Sequence, residues 1–563
     1  MKTKRLTGTI TGALLMSLLS MMRTHAGEPS ATEAASSSPP PAAAPATPAA
    51  VPAAAVPAGP QPAAAESVPV RTFDVLEYRV EGNHHLAELE IERAVYPHLG
   101  EKKTIQDVEA ARAALEKAYH DSGYLTALVN IPEQRVAEGM ITLQVIEAPV
   151  GRLHIAGSRY FSLGYIRARV PEFAQGSVPD FPEAQKELAQ VNRPAAQVTP
   201  VLKPSATPGK VDVELKVKDQ LPLYGSLEYN DRYGPNTTHT RAVAQLHYDN
   251  LWQLGHSIGF QYQIAPERPS DAKVVSLSYV IPAGSVTWAL YAVDSRSNVA
   301  AVGDINVIGN GDIYGLRMIK ALPGSDRLFQ SLTLGVDYKD FQQNVVLQGA
   351  DTSDKSPIQY LPFMLQYEGT LNDNWGSTTL DAGASFIVRG LFTDRDQFAN
   401  KRAAAEPSYF IFKGGLQRTQ KLPFKFSAVA KIDGQLADGP LISNEEFGAG
   451  GADSVRGYEE SEELGDDGIH GSLELRSPML FGGGEGSAIE RFYLLMFVEG
   501  AHLRVRQPLP SQQPDFNLSS AGGGLRFKAK GVSLDVDAAH AFTDAADTKA
   551  GNDRVMFRGS YEF

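Results

Sequence analysis

The feature that most restricts the fold of this chain is a change of pattern near Asp219. From there to Phe563 the residues read as short alternating strands, with no helical stretch between them. Sixteen candidate strands begin near Tyr224, Thr240, His256, Lys273, Val286, Asp312, Phe329, Ile358, Thr378, Pro407, Lys425, Gly468, Phe492, Leu518, Val532 and Arg554. Over about 345 residues this gives roughly 21 per strand and connection, enough for membrane strands of about ten residues with loops between them. Phe424, Phe426, Ala428, Ala430 and Ile432 alternate with Lys425, Ser427, Lys431 and Asp433. Val532, Leu534, Val536 and Ala538 alternate with Ser533, Asp535 and Asp537. In the last strand Val555, Phe557, Tyr561 and Phe563 take one face, and Arg558, Ser560 and Glu562 the other. Strands of this kind with no helices to cover them must pack in pairs or face lipid. A soluble sandwich would also alternate, but the even count, the terminal aromatic and an export-like N-terminus favour a closed 16-stranded antiparallel transmembrane β-barrel over residues 219–563.

Composition agrees with that expectation and removes other classes. A mean hydropathy of -0.21 is too polar for a bundle of membrane helices. It suits a barrel, whose lipid-facing and lumen-facing residues average out. A net charge of -13 argues against nucleic acid as a partner, because phosphate neutralisation needs a basic face. With no cysteine in 563 residues, neither a disulfide nor a thiolate metal site can form.

Residues 1–26 read as a signal peptide: Lys2, Lys4 and Arg5 precede an apolar run from about Thr9 to Met22, and Thr24-His25-Ala26 fits a small-x-small cleavage site. Residues 27–71 form an Ala/Pro-rich linker whose proline density forbids a continuous helix. Two small α+β units follow. In residues 72–148 a strand from Phe73 to Val80 turns at Gly82-Asn83. A helix is expected over Leu86 to Leu99, with Leu86, Leu89, Ala94 and Val95 inward. A second helix follows, N-capped by Thr104, with Ile105, Val108, Leu115 and Tyr119 on one face and Gly123 stopping it. Strands Leu125 to Ile131 and Met140 to Ile146 complete a β-α-α-β-β unit. Residues 149–218 repeat that order, with strand Gly151 to Ala156, helices at Leu163 to Arg169 and Glu183 to Val191, and strands Gln197 to Lys203 and Val211 to Val217. The repeat is one of architecture, not of sequence.

The residues Phe73-Asp-Val, Val80-Glu-Gly-Asn83, Ala118-Tyr119, Ser122-Gly123-Tyr124, Pro132-Glu-Gln134, Gly139 and Val145-Ile-Glu147 resemble the first polypeptide-transport-associated (POTRA) domain of the two-partner secretion transporters. These are outer-membrane proteins that export hemolysins and adhesins. A second resemblance lies between the eleventh and twelfth candidate strands. Phe447-Gly-Ala-Gly-Gly451-Ala-Asp-Ser-Val455-Arg456-Gly457-Tyr458, then Gly465-Asp466, Leu473-Glu-Leu475 and Pro478, is similar to the sixth extracellular loop of the same family. Counting strands from the periplasm independently makes this the sixth outer loop, near residues 444–467.

The resemblance implies that this loop folds back into the barrel and that the Arg of its Val455, Arg456, Gly457, Tyr458 tip pairs with an acidic residue on strand thirteen. The matching strand reads Phe497-Val-Glu499-Gly-Ala501. Parity places Phe497, Glu499 and Ala501 inward and Met496, Val498 and Gly500 toward lipid. A guanidinium sunk in a narrow lumen needs such a partner to offset its desolvation. Here Glu stands for the commoner Asp, and Ala501 for the usual Gly. Tyr561 and Phe563 resemble the C-terminal signal read by the barrel-assembly machinery.

No Gly-x-Ser-x-Gly, His-Glu-x-x-His or P-loop pattern is present, and His84-His85 has no third ligand nearby in sequence. The expected protein is therefore not an enzyme and uses no cofactor and no metal. The resemblance implies outer-membrane translocation of a large unfolded exoprotein from periplasm to cell surface. Its partners would be that exoprotein, the barrel-assembly machinery, and outer-membrane lipid with lipopolysaccharide, and the protein itself would be a monomer. The alternatives are an insertase of the same superfamily and, from another class, a diffusion porin or surface receptor. Family members often begin with a plug helix, and the linker shows no amphipathic stretch to supply one.

Overall fold

The computed structural model describes residues 72–563, apart from 136–138, 194, 298, 303–304, 343–356 and 483–486. The signal-peptide and linker readings fall outside the described residues.

The first unit holds β1 (Phe73–Val75), β2 (Glu77–Glu81), α1 (Glu88–Val95), β3 (Gly100–Lys103), α2 (Ile105–Asp121), β4 (Ala127–Asn130) and β5 (Met140–Glu147). Its sheet has the order β2-β5-β4, with β2 parallel to β5. Thr104 and Asp107 cap α2, the Thr104 N–H donating to Asp107 Oδ2 at 2.7 Å. Val108, Ala111, Leu115 and Tyr119 of that helix are buried, where Leu115 and Tyr119 meet Leu143 and Val145 of the sheet. Four details depart from the sequence reading. The strand expected from Phe73 to Val80 is broken at Leu76 into β1 and β2, which belong to different sheets. The first helix ends at Val95 because Pro97 sets up a single 3₁₀ turn over Tyr96–His98. Leu89 and Ile105 point to solvent, while Ile91 takes the inward place beside Ala94. The short β3, which pairs with β1, has no periodicity in its Gly-Glu-Lys-Lys sequence to announce it.

The second unit repeats this plan with β6 (Val150–Ala156), α3 (Leu163–Arg167), α4 (Phe181–Val191), β7 (Ala196–Pro204) and β8 (Val211–Asp219). The sheet order is β6-β8-β7, with β6 parallel to β8. The repeat also reaches single residues. Gly82 and Gly157 both have positive φ, and a Cβ on either would lie 2.4 Å from a carbonyl oxygen, that of Val145 or of Val217. Two residues beyond each of those valines stands a carboxylate that closes the turn after the glycine. Glu147 Oε1 accepts the N–H groups of His84 (2.9 Å) and His85 (3.0 Å). Asp219 Oδ2 accepts those of Arg159 (2.8 Å), Tyr160 (2.7 Å) and Phe161 (3.1 Å). The units touch where the Phe181 N–H donates to the Gly123 carbonyl at 3.1 Å.

The barrel begins with β9 (Leu223–Asn230), β10 (Arg241–Leu251), β11 (His256–Ile264), β12 (Ala272–Ala283) and β13 (Val286–Ser297). A hairpin of β14 (Val299–Val302) and β15 (Ile305–Ile308) stands apart from the wall before β16 (Gly311–Ala321) and β17 (Leu328–Phe341). β18 (Ile358–Tyr360) and β19 (Pro362–Asp373) both pair with β17 and act as one interrupted strand. β20 (Gly376–Ile387), β21 (Phe410–Lys421) and β22 (Ser427–Ala437) follow. After a second detached hairpin of β23 (Phe447–Ala449) and β24 (Glu463–Gly465) come β25 (Asp467–Arg476), β26 (Ile489–Arg504), β27 (Asp515–Ala529), β28 (Val532–Ala541) and β29 (Asp553–Glu562). Counted this way the wall has sixteen strands. β29 pairs antiparallel with β9 from Arg558↔Asn230 to Glu562↔Ser226, so no edge is left open.

Two corrections apply to the barrel. Phe424, Lys425 and Phe426 do not open the eleventh strand: Lys421 pairs with Ser427, so the residues between them form the turn, where Phe424 and Lys425 take positive φ after Pro423. Nor is the region all strand. The connection after β20 carries α5 (Arg395–Lys401), whose Phe398 is buried among Ile358, Tyr360, Tyr409, Ile411, Leu441 and Ile442.

The tight turn between β10 and β11 docks on the second unit. Gln253 accepts the Ser162 N–H at 2.8 Å, and Arg169 donates to the Leu254 carbonyl at 2.9 Å. That end of the barrel is therefore the side of the two units, and connections after odd-numbered wall strands lie at the opposite mouth.

Candidate functional site

The connection between β22 and β25 leaves the far mouth and turns back into the lumen. Its stem is the β23–β24 hairpin, in which Phe447 pairs with Gly465 and Ala449 with Glu463. The tip, Val455-Arg456-Gly457-Tyr458, is almost wholly shielded from solvent. Val455 packs with Ala501, Leu503, Leu518 and Ala541 from three neighbouring strands. Gly457 has φ +99, and a Cβ there would sit 3.2 Å from that of Ala539, so the chain passes hard against the wall. The Tyr458 hydroxyl lies 3.0 Å from the Ser519 carbonyl and 2.9 Å from that of Thr543, and it accepts the Thr543 N–H at 3.2 Å.

Arg456 is held from several sides. Its Nε and Nη2 donate to Glu499 Oε1 at 3.0 and 2.6 Å, and its backbone N–H to Glu499 Oε2 at 2.8 Å. Nη2 also reaches Glu474 at 3.2 Å, and Nη1 lies 3.5 Å from Asp537. The guanidinium stacks on the Phe497 ring, 3.4 Å from its centroid. The contacts continue around the wall: Arg476 donates to Glu474 (2.6 Å), Arg526 to Asp537 (2.8 Å), and Arg558 to Asp535 (3.2 Å) and Glu228 (2.8 Å). Glu228 stands on β9, so the charge ladder crosses the closure of the barrel. The sequence reading named Arg456, Phe497 and Glu499, which meet here. It missed Glu474 and Asp537 as partners, although both fall at inward positions of alternating strands.

A second knot ties the base of this loop to its neighbours. Asp466 is fully buried and accepts two hydrogen bonds from Arg402 (2.6 and 2.7 Å) and the N–H groups of Leu441 (2.6 Å) and Arg506 (2.6 Å). Arg402 also donates to Glu446 at 2.6 Å and to the carbonyls of Leu441 (2.6 Å) and Arg506 (3.0 Å). Three outer connections therefore share one buried pair. Beneath it Glu445 accepts from Lys339 (2.5 Å) and Tyr360 (2.6 Å), facing the apolar cluster around Phe398. Tyr561 and Phe563 stand on the outer surface of the last strand, their rings stacked at 6.1 Å.

A closed barrel with a loop returned to its lumen and α+β units at one mouth defines the class of outer-membrane barrels with periplasmic POTRA domains. The chain belongs to the family described as haemolysin secretion/activation protein ShlB/FhaC/HecB, whose model matches residues 209–527, and residues 73–148 match the POTRA domain, ShlB-type. The outer membrane transporter CdiB of Dickeya dadantii (strain 3937) is 22% identical over 374 residues, a match spanning 63% of this chain and 64% of that transporter. In fold the chain is similar to CdiB from Escherichia coli, with TM-score 0.62 and 19% identity over 89% of this chain and 93% of the other. It is also similar to BamA from Haemophilus ducreyi lacking POTRA domains 1-3, with TM-score 0.54 and 15% identity over 87% of this chain and 100% of the other. The wall strands accordingly cross the outer membrane, and the POTRA domain lies in the periplasm.

Proposed function

We propose that the protein exports a large partner exoprotein across the outer membrane by two-partner secretion, with the second α+β unit serving as a second POTRA domain. The observation that carries this reading is the returned loop: its tip is held in the lumen only through non-covalent contacts with the wall, so it can leave without chemistry. The POTRA units would capture the unfolded exoprotein by main-chain pairing along a strand edge, which accepts an extended chain with little demand on sequence. β2 and β4 form the edges of the first sheet, and β6 and β7 those of the second. The barrel would conduct the chain outward, and folding at the surface would supply the drive.

Likeness in fold to BamA keeps insertion of other barrels as the rival reading, and the ShlB-type POTRA match supports export over it. The deciding experiment compares the secreted and outer-membrane proteins of a deletion strain with its complemented parent. Loss of one large protein from the medium, with the barrel proteins unchanged, supports export. A general fall in outer-membrane barrels with the secreted set intact would overturn it.

A further inference from the structure

The lipid-facing side of β11 to β17 changes polarity row by row toward the far mouth. Tyr279, Leu290, Leu316 and Val336 form one directly paired outward row, and Leu277, Ala292, Tyr314 and Tyr338 the next. One step further out stand Val275, Asp294, Asp312 and Asp340, and beyond them Ile264, Lys273 and Arg296. Each step is two residues, about 6.6 Å along the strand. Aromatic side chains at the end of an aliphatic band mark the headgroup boundary, so the charges above Tyr314 and Tyr338 lie at the level of the outer-leaflet headgroups.

Lys273 and Arg296 are directly opposite each other, a like-charge pairing that costs stability unless something neutralises it. Both side chains are exposed. Among the described residues Lys273 has no ion-pair partner, and Arg296 has one long ion pair, 3.8 Å from its Nε to Asp294, with a weaker attraction to Asp312. Asp294, Asp312 and Asp340 repel anions and so bound the site on the side of β16 and β17, leaving it open toward Ile264 and Val275, whose apolar surface suits acyl chain.

We propose that Lys273 and Arg296 form a binding site for a phosphate of a phosphorylated glycolipid in the outer leaflet, with the acyl chains lying over Val275, Leu277 and Tyr262. An ammonium and a guanidinium on adjacent strands supply a point charge and a planar fork to one phosphate, and the lipid removes the like-charge cost of the free protein. This inference depends on residence in the outer membrane and not on what the barrel exports.

The test is native mass spectrometry of the full-length protein in detergent, titrated with bis-phosphorylated lipid A, with the same lipid after removal of both phosphates, and with inorganic phosphate. Wild type should bind the phosphorylated lipid more tightly than the dephosphorylated one, by on the order of tenfold. Lys273→Gln and Arg296→Gln should each erase most of that difference, while the double change K273R/R296K should keep it. Heat-modifiable migration on gels checks that every variant is folded. Because the wild-type comparison of the two lipids needs no variant, a folding failure cannot hide the answer. Equal binding of the two lipids, undiminished preference in both Gln variants, or inorganic phosphate bound as tightly as the lipid would each overturn the proposal.

Discussion

Arg456 gives Glu499 three hydrogen bonds, two from its guanidinium and one from its own backbone N–H. The carboxylate thus fixes both the side chain and the main chain of the loop tip. A surface ion pair would contribute little. This one is removed from solvent, stacked on Phe497 and shared with Glu474, so each member is costly to leave without the other.

Arg456→Ala should strand Glu499, at a cost of roughly 3 to 5 kcal/mol for a fully buried pair and less if water enters. Glu499→Ala should impair secretion to a similar degree. In the double variant the combined loss should be smaller than the sum, because both residues act through one contact. Secretion rates at matched amounts of folded barrel test this, and free energies that simply add would mean that the two residues act independently.

The Arg402 knot should act as a latch between the three outer connections. Arg402→Ala leaves Asp466 buried with only backbone N–H partners, and it frees α5 from the base of the docked loop. Single-channel recording in planar bilayers should show more frequent and larger openings than wild type. Unchanged conductance would limit Arg402 to holding the fold together.

Much of this architecture was legible because a closed barrel repeats one rule sixteen times. Period-two alternation located every wall strand, with an error at Phe424 and Phe426, whose apolar side chains belong to a turn that only cross-strand register reveals. Arg456 and Glu499 were legible as a pair through a motif and a parity argument together. Arg402 was not: it sits in a loop with no periodicity, and its partner Asp466 is 64 residues away in sequence. The equivalence of Gly157 with Gly82 was also hidden, since the flanking residues differ and only φ, the facing carbonyl and the capping carboxylate are shared.

That equivalence predicts matched sensitivity. Gly82→Ala and Gly157→Ala each place a methyl 2.4 Å from a strand carbonyl in a backbone region that disfavours side chains. Each should destabilise its own unit by on the order of 1 to 3 kcal/mol and leave the other unchanged. Hydrogen exchange of the full-length protein, read separately over residues 72–148 and 149–218, checks both the size of the effect and its confinement. Loss of protection in both units from either change would mean that they unfold together.

The carboxylate that caps the first of these turns also sets an acid dependence. Burial alone would raise the Glu147 carboxyl. The hydrogen bonds it accepts from the His84 N–H and from the ring and N–H of His85 outweigh burial and hold it below the ordinary value. A carboxyl depressed in the folded state stabilises the fold fully above its unfolded pKa, about 4.3, and loses that contribution as pH falls through the lower folded value. Glu147→Gln removes the linkage while keeping the side-chain length. The gap in thermal stability of the first unit between wild type and Glu147→Gln should therefore be full at about pH 5 and shrink as the pH falls below that. Scanning calorimetry of both proteins across the acid range measures it. A gap that widens below about pH 5 would reverse the sign and overturn the assignment to Glu147.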